Sequence, residues 1–312
     1  MKKIFLFITA AIMSVGVASA QDLNEAISLA KDGNAAFELG EYNLAIEAFT
    51  KSLSIAESIE GEEAANHAGT CKTAICAIYL SNAKSLIKAG DYSGALDKLN
   101  ETIATAESYN SPETVTAANE LIPSVYMAQG NAALKAKDSA NAITAYLKTL
   151  EIDPTNGDAY YRLGSAYAST GKIEDAVAAY ENAAANGKEK EAKKQLSTLF
   201  TKLAQASRKA QKWQEALSNA EKSLSYLETP NALNFAGEAS AKLGKNSEAI
   251  EYFEKYLALA PTAKNANNIK YQIAVAAEAL GNKTKAKEFY QMVTNDANLG
   301  EYAKHKVAEL SK

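Results

Sequence analysis

The chain has 312 residues, 47% of them hydrophobic and 5 of them proline, with 33 basic against 37 acidic side chains. A net charge of −4 offers no basic footprint for DNA, RNA or an anionic lipid surface, so nucleic acid is set aside as a partner. Two cysteines and two histidines are too few for a multi-ligand metal centre, and no metal is expected.

The first segment reads as a secretory signal. Lys2 and Lys3 are followed by an apolar run over residues 4–17, then by Ala18, Ser19 and Ala20 as a small-residue cleavage site before Gln21. The run is shorter than the roughly 20 residues that span a bilayer, which favours cleavage over a retained anchor. Gln21 in place of a cysteine disfavours a lipoprotein. The double-lysine start and the A-x-A ending point to bacterial export, to the periplasm or beyond. Removing Lys2 and Lys3 from 33 leaves 31 basic residues against 37 acidic, a net charge of −6 for residues 21–312. No later stretch is long and apolar enough for an integral membrane helix.

From Gln21 onward the sequence repeats itself. The clearest unit begins at Asn156, with Gly164 in a first helix, Gly171 at a turn, Ala176 in a second helix and Tyr180 four residues on. Gly33, Gly40, Tyr42, Ala45 and Phe49 form the first unit, and Ala83, Gly90, Tyr92, Ala95 and Leu99 the next. Gly130, Ala142, Tyr146 and Pro154 make a third, ahead of the Gly164 unit. Ala204, Trp213 and Ala216 follow as a degenerate fifth. Gly237, Gly244, Ala249, Phe253 and Pro261 are a sixth, and Ala274, Gly281, Ala286 and Tyr290 a seventh. The second-helix alanine is present in all of them.

A small residue in the first helix lets two antiparallel helices cross closely. The turn glycine takes positive φ where the first helix ends, and Pro154 and Pro261 stop a second helix. Lys137 and Gln211 stand where the turn glycine belongs, and Ala220 where the aromatic does, which puts the geometry of the third and fifth units in question. One helix pair cannot bury its own apolar face, so the pairs must stack.

On these residues the chain resembles the tetratricopeptide repeat family over nearly all of residues 21–312. The resemblance implies an all-α fold, a right-handed α-solenoid of stacked antiparallel helix pairs. Its best repeat lies at about residues 156–190.

The period varies. Turn residues 40, 90 and 137 are 50 and 47 apart, against 34 between 137 and 171. Ala, Ile, Leu and Tyr continue through the extra residues, which favours lengthened helices over disordered inserts. Ser111 reads as an N-cap with Pro112 first in its helix; Gly61, Glu62 and Glu63 read as a similar start. Pro123 is expected to kink the helix that contains it. This divides the chain into a signal at 1–20, helical hairpins with long helices at 21–137, a regular array at 138–299, and a capping helix at 300–312. Tyr302, His305, Val307 and Leu310 of that last helix are expected to cover the final apolar face.

Little here is built for catalysis. His67 and His305 are the only histidines, and a serine or cysteine nucleophile needs a positioned base. No phosphate loop, dinucleotide fingerprint or H-E-x-x-H is present; neither enzyme activity nor a cofactor is expected. If Cys71 and Cys76 share a helix, their side chains diverge, so two buried thiols are expected rather than a disulfide or a zinc pair. The family resemblance implies a concave groove lined by first helices that binds extended peptides or partner helices. The outward face of those helices carries Met127 and Asn131, then Tyr161 and Ser165, then Thr201, Gln205 and Arg208, then Asn234 and Glu238, and finally Tyr271. The family's basic clamp for a C-terminal carboxylate is not reproduced at these positions. Amides and tyrosines can hydrogen-bond an extended main chain or stack on a sugar, while ordinary solvated residues would look the same. The expected partner is therefore a protein or peptide held by an exported scaffold, with a cell-wall or other glycan as the alternative.

Overall fold

A computed structural model describes residues 17–312. Lys2, Lys3 and most of the apolar run of the expected export signal lie outside them. Every regular element among the described residues is helical, and none of these helices is long and apolar enough to cross a membrane. The chain divides into two compact units, one ending at Ala159 and the other spanning Tyr160–Lys312.

The first unit contains α1 (Val17–Glu38), α2 (Tyr42–Glu57), α3 (Glu62–Ala89), α4 (Tyr92–Ser108), α5 (Pro112–Lys135) and α6 (Ser139–Ile152). Each packs on its neighbour in sequence. The second unit takes most of α7 (Gly157–Ser169), then α8 (Ile173–Ala183), α9 (Glu189–Lys209), α10 (Trp213–Tyr226), α11 (Pro230–Lys242), α12 (Asn246–Leu259), α13 (Ala266–Ala279), α14 (Lys283–Gln291) and α15 (Gly300–Glu309). From α8 to α15 each helix again packs on the next. The result in both units is solenoid-type stacking of helix pairs.

The pairs cross where the sequence places a glycine. A Cβ on Gly33 would lie 2.7 Å from the Phe49 ring, on Gly130 2.5 Å from Tyr146, on Gly164 2.8 Å from Tyr180 and on Gly237 2.5 Å from Phe253. In each case glycine and ring are sixteen residues apart, so the ring occupies the volume that any larger residue would need. Burying such a ring contributes about 1.5–3 kcal/mol. Where the ring is absent, the glycine is too: Ala83 with Leu99 and Ala204 with Ala220 are fully buried at the same two positions.

The turns keep one conformation. Gly40, Gly90, Gly171, Gly244 and Gly281 have φ between 73° and 79°, and Lys137 and Gln211 adopt the same left-handed turn at 62° and 57°. The substitutions that put the third and fifth units in question therefore leave the turn intact. Asp91, Asp138, Thr229 and Asn282 then cap the following helices by accepting from Gly94, Asn141, Ala232 and Lys285 N–H groups.

The extra residues of the first unit are helical: α3 runs 28 residues and α5 24, and α5 passes through Pro123 as one element. Ser111 stands at the N-cap of α5, yet its hydroxyl meets that of Thr114 at 3.0 Å instead of a backbone N–H. The sequence led us to expect the longer helices in the N-terminal part, but lengthening is not confined to it. Helix α9 has 21 residues and follows a break at Asn186 and Gly187, which leave helical geometry inside the π turn Ala184–Lys188.

The last helix covers α13 and α14 through Ala303, Val307 and Leu310. His305 is exposed and belongs to the solvent side. Lys306 donates to Glu278 at 2.6 Å and ties α15 to α13.

Candidate functional site

The residues expected to line a groove are mostly half-buried and already engaged. In the first unit, Asn131 on α5 accepts from the Tyr146 hydroxyl at 2.9 Å, and Met127 is half-buried one turn earlier. In the second unit, Ser165 on α7 lies 3.0 Å from the Tyr180 hydroxyl. Asn131 and Ser165 each follow the first-helix glycine directly, and each meets the tyrosine that fills the space against that glycine. In the Gly237 repeat the ring is Phe253, which has no hydroxyl, and the equivalent Glu238 instead accepts from Arg208 Nη1 at 2.7 Å. The Arg208 guanidinium lies 5.2 Å from the Phe235 ring centre, bridging α9 and α11. The seventh repeat has Ala274 in place of the glycine and exposed Val275 after it. There the Tyr290 hydroxyl reaches Glu278, one turn further, at 2.9 Å.

Three other members point across helices rather than outward. Tyr161 packs on Tyr180 with ring centres 5.8 Å apart, and its hydroxyl accepts from Gln195 Nε2 on α9 at 3.0 Å. The Thr201 hydroxyl lies 2.7 Å from that of buried Ser223 on α10, inside its own pair. Tyr271 makes edge contacts with Tyr290 and Tyr302 at 5.9 and 5.8 Å, against α14 and α15. Gln205 is exposed and Asn234 half-exposed, on neighbouring first helices.

The second helices carry a pattern that the sequence reading passed over. Glu181, Glu221 and Glu254 each sit one residue after the repeat's aromatic position. Glu181 accepts from Tyr226 at 2.9 Å, Glu221 from Tyr252 at 3.1 Å and Glu254 from Lys285 Nζ at 2.6 Å. These exposed bonds link α8 to α10, α10 to α12 and α12 to α14. Burial and the neighbouring carboxylate raise the phenol pKa of Tyr226, and those of Tyr252 rise to about 12. Charge at Glu181 is thus part of an inter-repeat contact. A carboxylate recurring after the aromatic was the available signal.

The first unit also brings together a serine, a histidine and a cysteine, a grouping around His67 that residue spacing alone did not suggest. Ser52 Oγ donates to the Ala26 carbonyl at 2.6 Å, and lies 2.9 Å from His67 Nε2 and 3.3 Å from Cys71 Sγ. With the serine proton on Ala26, the network assigns a proton to Nε2. Burial lowers the pKa of His67 and raises that of Cys71. A neutral imidazole beside a protonated thiol is a satisfied polar knot between α1, α2 and α3, not an activated nucleophile. Cys71 and Cys76 are both free and buried. Among the described residues no three His, Cys, Asp or Glu side chains converge on a metal position.

Sequence models of the tetratricopeptide repeat match residues 33–59, 80–156, 145–178, 201–264 and 270–297. A curated relative, Hsp70-Hsp90 organizing protein 1 of Glycine max, is 33% identical over 134 residues, covering 41% of this chain and 23% of that protein. The chain thus spans about a quarter of that relative's length. Among solved structures, the TPR2AB domain of yeast Sti1 in complex with pHSP90 is 18% identical, with 96% of this chain and 100% of that one covered and a TM-score of 0.38. YrrB, described as a TPR protein with an unusual peptide-binding site, is 23% identical, with 58% and 91% covered and a TM-score of 0.35.

Proposed function

The chain belongs to the tetratricopeptide-repeat family, and from that premise we propose that it is an exported scaffold that holds an extended segment of a protein partner. The observation that carries this reading is the first-helix face of residues 160–312. Its polar side chains are half-exposed yet fixed in advance by cross-helix bonds, Tyr161 with Gln195 and Arg208 with Glu238. A face whose rotamers are set at folding loses less entropy on binding, and Gln205 and Asn234 remain beside it to meet a partner's main chain. The soybean relative is an organizing protein by name, which fits a role in bringing other proteins together. An envelope or secreted partner follows from the amino-terminal signal.

The test begins with the mature chain from Gln21, immobilised and exposed to an envelope extract and, in parallel, to a glycan array. A recovered protein partner is then titrated by calorimetry. Gln205→Ala with Asn234→Ala should weaken it about tenfold with unchanged melting. Equal affinity would move the site off this face, and saturable binding to glycans alone would replace the protein partner. Terminal sequencing of exported material beginning anywhere but Gln21 would overturn the cleavage site.

A further inference from the structure

The opposite side of the second unit holds a small cleft where α10 and α12 meet the connection into α11. It has a volume of about 230 Å³ and is lined by Glu221, Leu224, Glu228, Leu233, Tyr252 and Lys255. That is below the roughly 300–1,000 Å³ of a small-molecule site, and it suits one long side chain. Leu233 is fully buried and Leu224 half-buried, so they give an apolar floor. The Tyr252 ring forms a wall, held upright by its hydroxyl bond to Glu221. Glu221 and Glu228 stand exposed at the rim. The rim's one cation, Lys255, is already paired with Glu251 at 3.0 Å.

We propose that this cleft receives an arginine side chain of a partner protein. The apolar stem would lie on Leu224 and Leu233, the guanidinium on the face of Tyr252, and its N–H groups would donate to Glu221 and Glu228. Three features favour arginine. A planar cation stacks on a tyrosine face, its fork can donate to two carboxylates at once, and it is less strongly hydrated than an ammonium, so it enters a half-apolar site more readily. Burial first, and then the neighbouring carboxylates Glu221, Glu248 and Glu251, raise the phenol pKa of Tyr252 and keep its ring a neutral stacking face. The site is lined by α10 and α12, by Glu228 of the connection and by Leu233 of α11; none of Tyr161, Gln195, Gln205, Arg208, Asn234 or Glu238 lines it, so either site can fail without the other.

The probe is N-acetyl-arginine amide, titrated into the mature protein while the resonances of Tyr252, Leu224 and Leu233 are followed by NMR. N-acetyl-citrulline amide, of the same shape without the charge, is the control. The proposal expects saturable shifts at these three residues in the millimolar range with the arginine probe and none with citrulline. Glu228→Gln, which touches no internal bond described above, should weaken the arginine probe about tenfold with melting unchanged. No saturable shift, equal response to citrulline, or full affinity in Glu228→Gln would each overturn it. Glu221→Gln serves as a second variant, expected to weaken binding by removing the charge while its amide oxygen still accepts from the Tyr252 hydroxyl.

Discussion

At the level of single residues, a glycine and a ring sixteen positions apart form one packing unit in four repeats, and only the seventh, Ala274 with Tyr290, sets a ring against an alanine. Gly164→Ala puts a methyl where the Tyr180 ring lies 2.8 Å away, and overpacking of this kind costs about 1–3 kcal/mol. Combining it with Tyr180→Leu recreates the pairing of Ala83 with Leu99. The double variant should therefore lose less than the two single variants summed, which a thermal-melting cycle measures. His67 sets a pH dependence. Its pKa is lowered by burial, whereas an unfolded imidazole titrates near about 6.5. Stability is then whole above that value and is lost as pH falls below it, because the unfolded chain binds the proton more readily. Melting temperatures from pH 7.5 to 5 should fall more steeply for the wild type than for His67→Gln, whose amide can still donate to Ser52.

Among elements, helix identity was legible because the spacing of Gly, Ala and aromatic residues is a packing requirement, and packing requirements recur. Helix length was less so. The lengthening of α3 and α5 could be read from turn residues 50 and 47 apart, but that of α9 followed a break with no proline to mark it. The binding face was least legible of all. Thr201 and Asn131 are polar at outward positions of a helical wheel, yet they bond Ser223 and Tyr146 on the partner helix, and such bonds depend on how the two helices cross. The turns offer a direct test. Gln211 holds φ at 57°, a conformation that costs a residue with a Cβ about 1–2 kcal/mol. Gln211→Gly should raise stability by about 1 kcal/mol, less the entropy that glycine adds to the unfolded chain. A denaturant midpoint at or below the wild-type value would show that the side chain is otherwise needed.

For the molecule as a whole, helices within each of the two compact units pack chiefly on their neighbours in sequence, α1 to α6 in the first and α8 to α15 in the second. Stability in such a chain is a sum over pairs and the interfaces between them. Residues 156–312, which begin at the side chain that caps α7 through Ala159 N–H, should fold without the first unit. Circular dichroism should find them helical with a cooperative melt, and a non-cooperative melt would show that the second unit depends on the first.

The carboxylate bonds between successive second helices give the second unit a mechanical character. Glu181, Glu221 and Glu254 hold their partners at the surface, where such contacts are individually weak, while the glycine and ring contacts lie inside each pair. Under tension along the stack, the surface bonds are expected to give way first and reform on release, before any pair opens. The three exposed acids should then add to the stiffness that buried packing between pairs gives the second unit, and Glu221→Ala and Glu254→Ala should soften it slightly in an optical trap without lowering the force at which the helices themselves unravel.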